Sequence, residues 1–499
     1  MKNKKMLTYI VIFLIATTLL IFNINVWCDE AASINLTSYN WNDLIYFVKK
    51  DFHPPLYYLA LKTWGHFTGH NLISYKFFSI IPVILSALFV CIWFKKRLPK
   101  YYNKYNIIFV ILIFFAPCNM GKNIEVRMYT WAAFWVSSFL LTSWELRENS
   151  FKDLTTKKKI FLHMFLIISG ACACYTHYFA GLTILVIGII SIIMLIKQKN
   201  KNELINYSLS CIGVFVCFLP WLFIFFKQIN DNIPIWTIEL EMKPVYTLNI
   251  LRYPFEGDYS SAFPSDFTPI LWIIIVSMLI YSIHLIKTDT DNKKTQIIKY
   301  GVECFSIFIS VFIIGLIVSY NIHPILMRRY LFPSVNLLWL SVALMSASFC
   351  ETEKLRSILI GILTVLSISS YVYTIEREYE TGTKATLNFF TNSDIKDDDI
   401  IINNIEICAC WELKYYFPNN DNFYEENDII YATDYVTAWY LPNYEQINES
   451  DKTIWYFCNN NTNLNVEKYV NSRKNIEEVY KGNLDNYYNF KIYKISPVN

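Results

Sequence analysis

Long apolar runs recur through the first three quarters of the chain, and short polar segments separate them. Most runs reach about 18 residues, the helix length that crosses the hydrocarbon core of a bilayer. We therefore predict about eleven membrane-spanning helices, of which the third and fifth are short. The predicted spans are 7–26, 72–94, 105–118, 124–144, 160–176, 178–196, 204–226, 269–287, 300–319, 330–349 and 357–374. The first run is too long for a signal peptide and lacks a small-residue cleavage site, so we expect an anchor.

The pattern changes after residue 374, where short apolar segments typical of buried strands alternate with segments typical of helices. Strands are predicted at 399–402, 428–431, 453–457 and 490–493, and a helix at 465–481. The sequence thus predicts a membrane domain over 1–374, with its larger loops at 27–71 and 227–268. A small α/β domain is predicted over 375–499.

Composition agrees with a membrane protein. The chain has 54% hydrophobic residues, 17% charged residues and a mean hydropathy of +0.29, which excludes an ordinary soluble protein of 499 residues. Of its 44 Lys+Arg and 41 Asp+Glu, residues 375–499 hold 11 and 21, so the tail is acidic. We interpret that acidity as a solvated surface. A Walker loop, a Cys-x-x-Cys pair and a zinc-binding His-Glu-x-x-His helix are absent from the sequence, so an ATP-driven pump and an intramembrane zinc protease have no support.

Lysine and arginine follow alternate spans. They cluster before the first span and after the second, fourth, sixth, eighth and tenth, while the other loops are poor in them. This positive-inside pattern predicts a cytoplasmic N-terminus, with both larger loops and the tail on the outer face. The run Asp397–Asp399 matches the Asp-x-Asp metal motif of nucleotide-sugar enzymes, but such donors are absent outside the cytoplasm, so the match is discounted.

An acidic pair, Asp29 and Glu30, follows the first apolar run, and the segment Asp51-Phe52-His53-Pro54-Pro55-Leu56-Tyr57-Tyr58 comes about twenty residues later. Carboxylates this close to a bilayer are costly unless they face water or a cavity. The pair could simply end the helix, but its spacing to the rigid His-Pro-Pro segment favours an active site at the membrane surface.

Between these motifs, residues 39–50 place Trp41, Leu44, Ile45 and Val48 at helical spacing. The pattern predicts an amphipathic helix that lies at the membrane interface. An ordinary loop helix that covers the bundle is a compatible alternative.

Basic residues of the predicted outer face complete the candidate site. Arginine donates two parallel hydrogen bonds to a phosphate, so several arginines and histidines on one face could bind one. Each residue alone could equally be an interface anchor, or could pair locally as Glu125 and Arg127 could. The candidates are Asp51, His53, Glu125, Arg127, Tyr129, His177, Arg328 and Arg329.

The order of these motifs resembles a known family. Asp-Glu after the first span, Asp-x-His-Pro-Pro-Leu-Tyr-Tyr, Glu-x-Arg-x-Tyr, Tyr-Thr-His-Tyr-Phe-Ala, Leu-Pro-Trp and Arg-Tyr-Leu-x-Pro look like the family 39 glycosyltransferases over about residues 7–374. That family includes the protein O-mannosyltransferases and the bacterial aminoarabinose transferases of lipid A, and it shares the GT-C membrane fold.

The resemblance implies an inverting transfer from a polyprenyl-phosphate sugar to a hydroxyl acceptor on the outer face. Asp29 would be the general base, with Glu30 beside it. The acceptor would be a protein, a lipid or a cell-wall glycan, and membrane lipids but no nucleic acid are expected as partners. Some relatives hold a divalent metal with a carboxylate and a histidine. Asp51, His53 and His177 could do so here, so a metal cofactor is left open.

The chemistry is consistent with this implication without a nucleotide pocket. A lipid-phosphate sugar has an activated leaving group, so one carboxylate that takes the acceptor proton suffices. Arg127 and Arg329 would stabilise the departing phosphate, and His53 would bind either phosphate or metal. The rivals are a polysaccharide polymerase or ligase and a lipid-linked glycan transporter. A transporter usually carries its charges within the spans, whereas here they concentrate at the ends.

Overall fold

The computed structural model describes residues 3–98, 102–148, 155–231, 244–257, 267–289, 292–322, 324–349, 353–379, 381–405, 409–426, 447, 449–459, 474–484 and 488–497. They pack as two compact units. The first comprises Met1–Ile21, Phe52–Ala60 and Ile73–Thr374, and the second comprises Phe22–Asp51, Leu61–Leu72 and Ile375–Asn499. The second unit therefore combines the tail with parts of the predicted loop 27–71.

Helices dominate the chain up to residue 392. In order they are α1 Asn3–Ile21, α2 Cys28–Ser38, α3 Trp41–Lys50, α4 Leu56–Thr68, α5 Leu72–Arg97, α6 Tyr102–Phe115, α7 Pro117–Lys122, α8 Tyr129–Arg147, α9 Thr156–Thr176, α10 Tyr178–Lys197, α11 Lys201–Asp231, α12 Pro244–Glu256, α13 Phe267–Thr288, α14 Asn292–Asn321, α15 Phe332–Phe349, α16 Glu353–Glu378 and α17 Thr381–Asn392. A short 3-10 helix, Arg328–Leu331, precedes α15.

Seven of the described helices are long and apolar enough to cross a membrane. They are α5, α9, α10, α11, α13, α14 and α16, and each contains one of the predicted spans. The other four predicted spans also contain helices. In α1 and α6 the apolar stretches are shorter, Ile10–Ile21 and Tyr105–Phe115.

The helix α8 lies at the centre of the first unit, and this explains its polar composition. All its residues except Trp131 and Trp135 are buried, so it needs no lipid-compatible surface. Several of its hydroxyl groups bond to its own backbone: Ser137 Oγ donates to Ala133 O at 2.7 Å, and Thr142 Oγ1 to Ser138 O at 2.8 Å. Burial of a hydroxyl is tolerated when it is hydrogen-bonded in this way.

The helix of the first predicted span ends earlier than the apolar run suggests, because asparagine side chains form hydrogen bonds with the backbone after Ile21. The Asn25 amide donates to Asn23 Oδ1 at 3.2 Å, and Asn23 Nδ2 donates to Glu378 O at 2.7 Å. An asparagine that bonds the backbone two residues on forms a turn instead of another helical turn. The predicted limit at residue 26 is therefore wrong by five residues.

The second unit contains a five-stranded sheet with the strand order β2-β1-β3-β5-β4. Its strands are β1 Ile400–Asn404, β2 Phe423–Glu425, β3 Ile454–Asn459, β4 Lys474–Leu484 and β5 Tyr488–Pro497. The first three are parallel and the last two form an antiparallel pair. A helix α18, Ala409–Tyr416, packs on α2. Apolar clusters cover both faces of the sheet, as expected for a mixed sheet in an α/β domain.

Three of the predicted strands are confirmed, and the segment 428–431 lies outside the described residues. The predicted helix at 465–481 is wrong over 474–481, which belongs to β4. Pairing with β5 decides the conformation: Ile476 lies opposite Ile495, and Lys491 Nζ bonds Glu478 Oε2 across the pair at 2.8 Å. Such cross-strand contacts override the local preference of a short segment.

Two helices approach closely where α14 packs on α15, and Gly301 permits the approach. A Cβ atom on Gly301 would lie 2.9 Å from Met345 Cγ and 3.0 Å from the Met345 backbone nitrogen. Backbone at that distance has little room to move, so the glycine is required by packing rather than by its conformational freedom.

We therefore expect Gly301→Ala to destabilise the first unit by about 1–3 kcal/mol, because the added methyl group overpacks the α14–α15 contact. The matched control is Gly361→Ala, since nothing lies within 4 Å of the Cβ position at Gly361. Thermal unfolding in detergent measures both variants. Equal melting temperatures for the two would contradict the packing argument.

Candidate functional site

The ten residues predicted for the site are divided between the two units. His53, Glu125, Arg127, Tyr129, His177, Arg328 and Arg329 belong to the first unit, and Asp29, Glu30 and Asp51 to the second.

His177 is positioned by the turn that joins α9 to α10. Its backbone is extended, and its Nδ1 accepts a hydrogen bond of 3.1 Å from the Phe179 amide, so it caps the start of α10. Because Nδ1 accepts, the imidazole proton resides on Nε2 when the ring is neutral. His177 is 2% exposed, and no hydrogen-bond partner for Nε2 is found among the described residues.

Three rings from three other segments gather around this histidine. The His177 ring centroid lies 5.2 Å from Tyr330, 5.7 Å from Tyr129 and 5.8 Å from His53. His53 is also buried, 6.3 Å from Tyr330, and enters from the segment before α4, where Pro54 and Pro55 fix the backbone. The structure thus brings together residues separated in sequence by up to 277 positions, from His53 to Tyr330.

Cations surround the same rings. Burial lowers the pKa of His177 well below its ordinary value, and the charges of His53, Arg127 and Arg329 lower it further. His177 is therefore neutral at neutral pH. Arg127 is 5% exposed, and its Nη1 donates to the Tyr58 hydroxyl at 3.3 Å. Arg329 reaches this cluster from the short helix before α15.

The neighbouring arginine has a different environment. Arg328 Nη2 bonds Glu256 Oε2 of α12 at 3.2 Å, and Glu256 also accepts from Thr268 Oγ1 at 2.9 Å. Successive side chains of a 3-10 helix diverge by about a third of a turn, so Arg328 and Arg329 point to different places. The sequence analysis listed both as candidates and assigned the phosphate to Arg329 with Arg127; the structure separates the contacts of the two neighbours.

Lys122 is a site residue that the sequence analysis missed. It forms an ion pair with Glu125, and its ammonium lies 4.8 Å from the Tyr129 ring centroid. Lys122 is 6% exposed, and the Glu125 carbonyl accepts from Ser79 Oγ at 2.6 Å. A sequence signal did exist, since Lys122 and Arg127 are the two basic residues of the short connection between two apolar helices. We call Lys122, Glu125, Arg127, Tyr129, His53, His177, Arg329 and Tyr330 the cationic cluster.

In the second unit, Asp29 and Glu30 lie in the first turn of α2 rather than at the end of a helix. Carboxylates there interact favourably with the positive end of the helix dipole, which is a structural role in its own right. Glu30 is 6% exposed, and burial followed by the charge of Glu30 raises the pKa of Tyr415 to about 12. Asp29 is partly exposed and its carbonyl accepts from Ser33 Oγ at 2.9 Å.

The predicted amphipathic helix is confirmed as α3, Trp41–Lys50. Leu44 and Val48 are fully buried, while Trp41 and Tyr46 are half exposed. Asp51 ends this helix, with its amide bonded to Phe47 O at 3.0 Å and Val48 O at 3.2 Å. The position of α3 at a membrane interface stays a prediction.

The metal prediction also stays open. Within the described ranges, no three His, Cys, Asp or Glu side chains gather closely enough to hold a metal ion. His53 and His177 offer two imidazoles, and Asp51 belongs to the other unit.

Comparisons with known proteins identify the fold but no family. No family profile matches the chain, and no curated protein matches its sequence. The crystal structure of ArnT from Cupriavidus metallidurans in the apo state matches with a TM-score of 0.51 and 9% identity, over 99% of this chain and 98% of that chain. ArnT from the same organism bound to undecaprenyl phosphate matches with a TM-score of 0.50, the same identity and the same coverage.

The archaeal oligosaccharyltransferase AglB from Archaeoglobus fulgidus, in complex with an inhibitory peptide and a dolichol-phosphate, has a TM-score of 0.45 and 12% identity, over 86% of this chain and 65% of that one. The ArnT likeness establishes the fold. The chain is a multi-pass α-helical membrane protein with the GT-C fold and a small α/β domain, as the sequence predicts.

The depressed pKa of His177 predicts a loss of stability at acidic pH. The folded state resists protonation of this ring, so its stabilising effect is complete above the ordinary histidine pKa, near 6.5, and is lost as pH falls below it. The expected loss is about 1.4 kcal/mol for each pH unit below 6.5, until the folded pKa is reached.

His177→Asn is the matching variant, because asparagine caps helices well but does not titrate. We expect its melting temperature to fall less than that of the wild type between pH 7 and pH 5. Parallel curves for the two proteins would show that His177 does not carry the effect.

Proposed function

We propose that this protein is a glycosyltransferase that moves a sugar from a polyprenyl-phosphate donor to a hydroxyl acceptor, with inversion at the anomeric carbon. One observation carries the proposal: a buried cationic cluster, built around a neutral histidine, in a multi-pass helical protein with the fold of ArnT. ArnT was solved with undecaprenyl phosphate bound, which supports a lipid phosphate as the ligand class.

The cluster suits the phosphate of such a donor. Buried Arg127 and Lys122 and partly buried Arg329 supply positive charge, and arginines bind phosphate with paired hydrogen bonds. The negative charge of the phosphate grows as the sugar departs. Donors already in place stabilise that charge without reorganisation, which lowers the barrier to transfer.

His177 adds a neutral donor to this site. Its Nδ1 is occupied by the Phe179 amide, so Nε2–H is the group available to a phosphate oxygen. A histidine held neutral keeps this proton as a hydrogen-bond donor instead of giving it up as an acid. This role orients the phosphate and needs no proton transfer.

The acceptor needs a base, and Asp29 is the proposed one. Its carboxylate takes the proton of the acceptor hydroxyl, the hydroxyl oxygen bonds to the anomeric carbon, and the bond from that carbon to the phosphate oxygen breaks with its electron pair going to the phosphate. Partial exposure of Asp29 supports this choice over Glu30, which is buried near Tyr415.

The proposal places the chemistry on the outer face of the plasma membrane, with a cytoplasmic N-terminus and an outer α/β domain over 375–499. The alternation of basic loops supports this orientation. A protein, a lipid or a cell-wall glycan could supply the acceptor hydroxyl, and a divalent metal held by histidine and carboxylate remains compatible with the proposal.

The phosphate role predicts different effects for two adjacent arginines. Arg329→Gln should weaken binding of undecaprenyl phosphate about tenfold or more, since a charged hydrogen bond to phosphate contributes about 1.5–3 kcal/mol. Arg328→Gln should change binding less than about twofold, because its charge is directed to Glu256. Binding of radiolabelled lipid to purified protein measures both. A larger effect of Arg328→Gln would reject this assignment of the phosphate site.

The base assignment predicts that Asp29→Asn leaves folding and lipid binding intact but lowers sugar transfer by about 100-fold or more, since an amide does not take the proton. Glu30→Gln is the control and should retain transfer. The assay uses a panel of radiolabelled polyprenyl-phosphate sugars with membrane acceptors. Transfer that survives Asp29→Asn and disappears in Glu30→Gln would reassign the base, and no transfer from any donor by the wild type would count against the proposed function itself.

A further inference from the structure

A groove of about 440 Å³ runs between α10 and α11 in the first unit. Its floor is made of small residues and thiols, namely Gly181 and Gly188 of α10 with Cys174 and Cys211 of the neighbouring helices. Leucine, isoleucine, valine and phenylalanine form most of the walls, and the only hydroxyl group in the lining belongs to Tyr178. Such a surface binds hydrocarbon and offers almost nothing to a polar ligand.

The groove opens on the side of the helices that faces away from the protein core. Leu185, Ile189 and Phe215 all line it and are 57%, 49% and 54% exposed. Both α10 and α11 are long and apolar enough to span the membrane. Their exposed apolar faces therefore meet lipid, and a hydrocarbon chain can enter the groove sideways from the bilayer.

One end of the groove lies beside the cationic cluster. Tyr178 lines the groove and directly follows His177, and the next residue, Phe179, has its ring 5.5 Å from Tyr330. Trp221 Nε1 donates to the Tyr178 hydroxyl at 3.0 Å, and that hydroxyl donates to Gln228. These bonds fix the Tyr178 ring at the junction between a hydrocarbon surface and a phosphate-binding surface.

We propose that the α10–α11 groove binds the polyprenyl chain of the lipid-phosphate donor, with its phosphate end at His177. This inference rests on the proposed function and adds the path of the lipid. A ligand with an anionic head and a long hydrocarbon tail matches the order of surfaces: cations and imidazoles first, then an aromatic junction, then apolar walls.

A second apolar groove, of about 470 Å³ between α13 and α16, is the alternative path. Its inner wall includes Trp339, which is 1% exposed and donates to Asn119 Oδ1 at 2.7 Å. That buried hydrogen bond closes the wall. None of the residues that line this groove is next in sequence to a member of the cationic cluster, whereas Tyr178 of the first groove directly follows His177. The first groove is therefore the better match for a tail attached to a bound phosphate.

The test compares a long and a short lipid phosphate, undecaprenyl phosphate and geranyl phosphate, as ligands of the full-length protein in nanodiscs. In Gly188→Leu the new side chain fills the groove, since a Cβ there would lie 3.6 Å from Cys211 Sγ in ordinary contact. We expect the dissociation constant for undecaprenyl phosphate to rise about tenfold, while that for geranyl phosphate changes less than about twofold. Gly361→Leu, on a lipid-facing position outside both grooves, is the matched control and should change neither.

Two further variants decide the remaining outcomes. Leu185→Trp, at an exposed position of the same groove, must reproduce the selective loss of binding of the long lipid. The proposal is rejected if it does not, or if Gly188→Leu weakens the binding of both lipids equally. Ile362→Trp fills the other groove, and selective loss of undecaprenyl phosphate there would move the tail to the α13–α16 groove. A wild type that binds both lipids but transfers no sugar would count against the proposed function and leave the groove assignment standing. A wild type that binds neither lipid would reject the proposed function and the groove assignment together.

Discussion

Pairing of buried charge around α8 is the constraint on which the first unit depends. At the last turn of this helix Arg147 Nη2 meets Glu303 Oε1 of α14 at 2.5 Å, and Arg97 of α5 bonds Glu145 at 2.6 Å and Glu148 at 2.7 Å. Removing one member of a buried pair leaves the other uncompensated, at a cost of about 3–5 kcal/mol. These pairs therefore fix α5 and α14 against the central helix.

Buried charges also gather at the opposite end of α8, but there the positive charges outnumber the negative ones. The cationic cluster as defined contains the cations Lys122, Arg127 and Arg329 but one carboxylate, Glu125. Cations concentrated in a buried site create a potential that favours an anion and disfavours a further positive charge. Burial, together with this potential, lowers the pKa of His177 and keeps the ring neutral. A site of this charge balance attracts a phosphate more readily than a neutral sugar or a peptide.

The sequence predicted most members of this cluster because they fall in short motifs at the ends of apolar runs. Its limits are equally instructive. Arg328 and Arg329 are adjacent, and only the tertiary positions of Glu256 and His177 distinguish them. Lys122 carried no motif, and its role became visible through contacts with Glu125 and Tyr129. Local patterns report burial and helix ends, whereas the partner of a long side chain is set by packing between distant segments.

The same distinction explains the errors in the fold. Hydropathy identified the helices that face lipid, but α8 is polar because protein rather than lipid surrounds it. Residues 474–481 fall in a segment for which the local pattern predicts a helix, although pairing with β5 makes them a strand. Asp399 is a further residue whose contacts come from distant segments. Its carboxylate accepts from Trp455 Nε1 at 2.8 Å and from the Lys396 amide at 3.0 Å, so it joins the segment before β1 to β3.

On the proposed function, the charge of the cluster also links donor binding to the state of His177. The arginines lower the affinity of this ring for a proton, and a bound phosphate opposes them because its charge is negative. The pKa of His177 would therefore rise when a lipid phosphate binds and fall again when it leaves. The hydrogen bond from Nε2 to the phosphate strengthens as negative charge develops on the leaving group, which is the stage at which stabilisation speeds transfer. The affinity of a neutral histidine for a proton can rise in this way when the phosphate binds, whereas a lysine at the same position would already carry its proton before the lipid arrives.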